Sequence, residues 1–228
     1  MTASAAAAWR PLSAREVLSE YFLNRVIHGN SLLKLLQLPD QCVDFVLTDP
    51  PYVVHYVSRD GRSIVGDDKT DWIEPAFHEI YRVLKPNRFC VSFYGWNKVD
   101  IFMSAWRKAG FYPAGHIVWV KDYKSNERYL SYRHEQAYLL AKGRPDPLRY
   151  PLKDVLHWEY TGNKLHPNQK AVYALRPVVG AFSRPGEIVL DPFCGSGSTL
   201  LTARDLGRNY IGIDIDEGHC RTARGQLQ

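Results

Sequence analysis

Val189-Leu190-Asp191-Pro192-Phe193-Cys194-Gly195-Ser196-Gly197-Ser198-Thr199 decides how the rest of the chain is read. An apolar run ends in an acid, passes through a glycine-rich turn and enters residues that open a helix. Glycines in such a turn let the backbone approach a ligand closely, and a helix N-terminus favours a carboxylate. Ser198 and Thr199 can cap the helix and donate to the same anion. Asp214 ends the next apolar run, about 20 residues on, where an acid can accept hydrogen bonds from both ribose hydroxyls of an adenosine. The pairing points to an adenosine-containing cofactor, although a glycine turn and a solvated acid can each be purely structural. A nicotinamide dinucleotide is disfavoured, because Leu200 stands where the third glycine of that fingerprint belongs.

Far upstream, the apolar run Val43-Asp44-Phe45-Val46-Leu47 leads into Thr48-Asp49-Pro50-Pro51-Tyr52. An acid, two prolines and an aromatic at a strand end make a rigid, open corner. Such a corner can hold a flat amine-bearing ring, with the acid and a backbone carbonyl accepting the amine hydrogens and the aromatic stacking on the ring. A proline-stiffened strand exit is the plainer reading of the same residues. Amine corner first and glycine turn second is an uncommon order, and it says more than either motif alone.

The remaining pattern alternates strand and helix. Apolar runs predict strands over residues 25–28, 43–48, 89–96, 116–120, 135–141, 187–192 and 209–214. Helical spacing is predicted over 31–38, 71–84, 97–109, 169–182, 198–206 and 217–227, with Pro177 kinking the fourth. Lys85-Pro86-Asn87 reads as a turn, residues 53–70 as a mobile loop beside the amine corner, and residues 142–166 as irregular. Residues 1–24 read as an N-terminal extension with a short helix over 13–22, followed by a catalytic domain over 25–228. The expectation is an α/β fold with a mixed, mostly parallel seven-stranded sheet covered on both faces.

Composition sets the outer bounds. The 228 residues are 45% hydrophobic, enough for a real core. A formal charge of +5 is compatible with a polyanionic partner and is weak evidence alone. Cys42, Cys90, Cys194 and Cys220 have no paired spacing, so neither a zinc ribbon nor a redox pair is suggested. No charged leader and no long apolar run is visible, and a cytoplasmic location with no membrane and no metal is expected.

With these residues in hand, the chain resembles the amino-directed DNA methyltransferases. Asp49-Pro50-Pro51-Tyr52 looks like their catalytic motif, and Asp191 to Thr199 looks like their S-adenosylmethionine motif. His166-Pro167-Asn168-Gln169-Lys170 looks like the His-Pro-x-Gln-Lys segment that precedes the latter. The order, catalytic motif first, is that of the beta class, a circular permutation of the Rossmann-like methyltransferase fold. The resemblance covers residues 25–227.

It implies an adenine-N6 enzyme acting on double-stranded DNA with S-adenosylmethionine. Asp49 and the Pro50 carbonyl would accept the two N–H groups of the target amine, Pro51 would fix the corner, and Tyr52 would stack on the flipped base. The implied cofactor residues are Asn30, Asp49, Lys170, Asp191, Phe193, Cys194, Gly195, Ser196, Gly197, Ser198, Thr199 and Asp214. Three positions depart from the pattern: Asn30 replaces a common acid, Ala171 a proline and Arg88 a glycine. Lys170 could contact the cofactor carboxylate or DNA, or simply start a helix.

Basic residues with interleaved tyrosines fill 121–153, and phosphates and bases are their natural partners. Lys121, Lys124, Arg128, Tyr132, Arg133, His134 and Arg144 are the candidate DNA contacts, against the plainer reading of a solvated basic face. The interval 142–165 is too short for a separate recognition domain, so loops 53–70 and 121–165 are expected to read the sequence. A homodimer is compatible with the resemblance. The rivals are an N4-cytosine enzyme, an RNA or protein-amide methyltransferase, and a DNA-binding regulator that has lost catalysis.

Overall fold

The computed structural model describes residues 12–54, 67–122, 129–158 and 172–228. One eight-stranded sheet is formed by β1 (Arg25–His28), β2 (Val43–Thr48), β3 (Leu84–Phe93), β4 (Tyr112–Lys121), β5 (His134–Lys142), β6 (Val155–Trp158), β7 (Ile188–Asp191) and β8 (Asn209–Asp214). The spatial order is β1-β8-β7-β2-β3-β5-β4-β6. β5 runs antiparallel to β3 and β4, and every other pairing is parallel. All strands except β5 therefore end on one edge. The fold is α/β, a mixed, mostly parallel sheet covered by helices on both faces.

Alternation along the strands builds the two cores, because successive side chains point to opposite faces. Val46, Cys90 and Leu190 pack on one side with α2 (Ser31–Leu35), α3 (Ile73–Val83) and α4 (Val99–Ala109). Phe45, Leu47, Val91, Phe93 and Val189 pack on the other with α5 (Val172–Phe182), α6 (Ser198–Asp205) and α7 (Glu217–Gln226). Phe45, Phe77, Phe102, Trp106 and Trp119 are fully buried. Each such side chain contributes roughly 1.5–3 kcal/mol by leaving water.

Three local expectations change. Lys85-Pro86-Asn87 lies inside β3: between Val43↔Leu84 and Phe45↔Phe89 the ladder gains extra residues on β3, and Asn87 takes a φ of 58°. The turn is thus a bulge, which accommodates Pro86 because a bulged residue owes the ladder no hydrogen bond. The eighth strand, β6, lies within the interval expected to be irregular and pairs in parallel with Val118–Lys121 of β4. Its apolar run is brief and flanked by Pro, Lys and Asp, so composition hid it. Finally, α1 (Ala14–Val17) leads into a π-helical turn, Leu18–Phe22, that buries Phe22 in the core. Helix α5 runs through Pro177.

β2 stands between β7 and β3, and the chain leaves β2 and β7 through helices on opposite faces. The crevice at their carboxyl ends is a topological switch point, the usual ligand site of open α/β sheets.

Candidate active site

β2 delivers Asp49 to that edge, and β7, its parallel neighbour, delivers Asp191. The Tyr52 hydroxyl donates to Asp49 Oδ1 at 2.5 Å. Burial, and then the negative charges of Asp49 and Glu135, push the Tyr52 pKa well above its ordinary value. The phenol is neutral and remains a donor. The next residue, Val53, has a φ of 59°, a left-handed conformation that a β-branched residue takes only under constraint. On the other flank, a Cβ on Gly95 would lie 3.0 Å from Tyr52 Cβ and 3.1 Å from the Tyr52 carbonyl oxygen, so the chain after β3 presses directly on the corner.

The glycine turn follows β7. Gly195 and Gly197 have φ of 51° and 89°, conformations that a side chain disfavours. A Cβ on Gly197 would meet Ala223 of α7 at 2.8 Å, whereas nothing lies within 4 Å of one on Gly195. One glycine serves packing and the other leaves an open approach for a ligand. Ser198 Oγ, in a residue 6% exposed, has no hydrogen-bond partner among the described residues. An orphaned donor beside an open glycine, at the start of α6, fits a carboxylate-bearing ligand.

Asp214 closes the far side. It accepts from Gly195 N–H at 2.8 Å and Asp216 N–H at 2.9 Å, and His219 Nδ1 stands 3.4 Å away. The Asp214 carbonyl accepts from Gly29 N–H at 2.8 Å, which draws the β1 end to the same place. There Asn30 uses its side-chain oxygen to cap α2 through Leu33 N–H at 3.2 Å. Ser31 Oγ donates to the Pro192 carbonyl at 2.5 Å, tying this loop to the glycine turn.

Asp191 is buried behind the turn, and burial pushes its pKa up to about 7, with the nearby charge of Asp49 adding to the rise. Hydrogen bonds from Thr199 and the Phe193 N–H oppose the shift. Cys194 is buried and its thiol is pushed well up, so it is an inert packing group. Phe193 is half-buried against Trp72, ring centroids 5.2 Å apart.

Two residues here escaped the sequence reading. Trp72 carried only a helix-face signal. A Cβ on Gly212 would meet Cys194 Sγ at 3.1 Å and collide with Leu200, so this β8 glycine lets α6 and the turn seat on the sheet. An isolated glycine inside a strand was the available clue.

A family model described as DNA methylase, of the N6/N4 type, matches residues 43–225. The chain belongs to the N6/N4 DNA methylase family. YubD of Escherichia coli (strain K12), named as a methylase, is 50% identical over 205 residues, which is 90% of each chain. The crystal structure of an M1.HpyAVI–SAM complex matches with a TM-score of 0.72 and 24% identity, over 90% of this chain and 98% of that one. The cytosine-N4-specific PvuII DNA methyltransferase matches with a TM-score of 0.74 and 15% identity, over 89% and 86%. At these identities the likeness of the solved structures is one of fold.

The methylase redistributes the expected DNA contacts. Lys121 is 3% exposed, and its Nζ donates to Glu135 Oε1 at 2.6 Å. It is a buried ion pair at the carboxyl edge and not a phosphate contact. Arg144 follows β5, whose end pairs with the start of β3, so it lies on the edge opposite Asp49. Its backbone N–H donates to Asn87 Oδ1 at 2.9 Å. Arg133 and His134 are exposed at the carboxyl edge that also carries Asp49, and Tyr132 is half-buried there. Lys124, Arg128 and the segment from His166 to Lys170 lie outside the described residues. Among the described residues no group of His, Cys, Asp or Glu could hold a metal ion, and no helix is long and apolar enough to cross a membrane.

Proposed function

We propose that this methylase transfers a methyl group from S-adenosylmethionine to the exocyclic N6 of an adenine rotated out of double-stranded DNA. The observation that carries the reading is the Asp49 carboxylate, held by Tyr52 at 2.5 Å, on the strand beside the glycine turn. A base inside a duplex cannot reach such a crevice, hence the rotation.

S-adenosylmethionine supplies an electrophilic methyl on a positive sulfonium. Ser198 and the N–H groups opening α6 would hold its carboxylate, Asp214 its ribose, and Asn30 after β1 together with Phe193 after β7 its adenine. Asp49 and the Pro50 carbonyl accept the two hydrogens of the target amine. That draws the nitrogen toward tetrahedral geometry and frees its lone pair from the ring. Tyr52 fixes the carboxylate and offers its ring for stacking. As the new N–C bond forms, the bond from the methyl to sulfur would break and its electron pair return to sulfur, leaving neutral S-adenosylhomocysteine; the nitrogen becomes positive and Asp49 is placed to receive its surplus proton. Positioning of this kind is worth on the order of 7–11 kcal/mol at best.

Residues 25–228 act as the catalytic unit without a separate recognition domain, and DNA crosses the carboxyl edge near Arg133 and His134. The second reading is N4 of cytosine, favoured by the shared fold with the PvuII enzyme. Aspartate at position 49 favours adenine, since cytosine enzymes of the resembled family more often carry serine there. The test is Asp49→Ala: methyl incorporation into duplex DNA should fall roughly 100-fold or more while calorimetry finds cofactor affinity unchanged. Near-normal turnover would remove Asp49 from the mechanism.

A further inference from the structure

Trp96 is 61% exposed, yet it adjoins the catalytic corner. It opens the 3-10 turn Trp96–Lys98 directly after Gly95, the residue that abuts Tyr52. A lone exposed aromatic needs no explanation. Trp96 is not alone: Tyr132, from the far side of the β4–β5 connection, stacks on it with centroids 6.2 Å apart and planes 29° from parallel. The turn carrying Trp96 also brings Asn97 and Lys98, and Tyr132 is followed by the exposed Arg133 and His134. An exposed indole with a second ring against it, near Lys98 and Arg133, has the make-up of a base-stacking surface beside phosphate contacts.

We propose that Trp96, backed by Tyr132, is a second stacking surface that receives an unpaired nucleobase next to the flipped target. The proposal rests on the DNA-methylation reading above. Rotating one base out of a duplex strands two kinds of flat partner: the orphaned base on the opposite strand and the unstacked neighbour on the same strand. Both offer the same π-face. Tyr52 holds the target, and Trp96 caps the disturbed stack, which lowers the cost of opening it.

The test uses duplexes carrying the mapped target site, with 2-aminopurine either opposite the target or adjacent to it. Trp96→Ala should bind duplex roughly ten-fold more weakly and raise the KM for DNA by a similar factor. Its affinity for S-adenosylmethionine should match wild type, which also reports correct folding. Trp96→Phe should restore most of the binding, and Tyr132→Leu should reproduce part of the loss. Wild-type protein should quench the probe at one of the two positions, naming the base, and Trp96→Ala should not. Wild-type binding and quenching by Trp96→Ala, in a protein that methylates DNA, overturns the stacking surface alone. Loss of self-association in Trp96→Ala with DNA binding intact overturns it in favour of a protein contact. Absence of any methyl transfer to DNA by wild type removes the parent reading, and the proposal falls with it.

Discussion

Asp191 is buried at the end of the strand beside the one that leads into Asp49, and that burial, with a smaller contribution from the Asp49 charge, has a thermodynamic consequence. A folded-state pKa of about 7 against 3.8 means the folded protein holds a proton on Asp191 that the unfolded chain has released. Stability should therefore decline as pH rises from about 4 through 7. Denaturant titrations across that range should show the decline in wild type and a shallower one in Asp191→Asn; identical slopes would place the pKa elsewhere. Asp214→Ala removes an acceptor from the Gly195 and Asp216 N–H groups. Cofactor affinity should drop about tenfold or more by calorimetry, since charged hydrogen bonds are worth about 1.5–3 kcal/mol. Unaltered affinity would move the ribose contact to another residue. Gly212→Ala should destabilise the fold by about 1–3 kcal/mol, because Leu200 and Cys194 already occupy the space. At this scale the sequence marked the corner of Asp49 to Tyr52 but not the hydrogen bond that the two side chains, three residues apart, form within it. Lys121 misled because its burial depends on Glu135, 14 residues away on the next strand.

Among the elements, β6 and the β3 bulge show what periodicity misses. β6 is an edge strand, and its Trp158 packs edge-on against Trp119 with centroids 6.4 Å apart. Removing residues 145–160 would strip β6 from β4 and leave an open, apolar strand edge. The expected outcome is aggregation, visible by light scattering. A soluble, folded deletion protein that merely loses sequence preference would contradict the placement of β6. Arg88 departs from a common glycine because here it has a task at the bulge. Its Nη2 reaches Glu187 at 2.7 Å and the buried Asp44 at 3.3 Å, linking the starts of β2, β3 and β7. Helices and strands with long amphipathic or apolar runs were readable. A short strand beside prolines was not, because it takes its structure from the partner edge.

Across the whole molecule, the parallel strands gather Asp49, Asp191, Asp214 and Trp96 onto one edge from distant parts of the chain. Apolar runs alternating with helical spacing made seven of the eight strands readable, β6 excepted, and the two motifs marked strand ends followed by turns. Motif order could not show which basic residues share that edge: Arg133 and His134 do, whereas Arg144 lies on the other. Adenine and cytosine carry chemically similar amines, so identifying the methylated base tests the central claim most directly. Duplex DNA of mixed sequence is incubated with the protein and S-adenosylmethionine, digested to nucleosides and analysed by mass spectrometry. The account predicts N6-methyladenine, absent with Asp49→Ala. N4-methylcytosine in its place, or no methylated nucleoside at all, would contradict it.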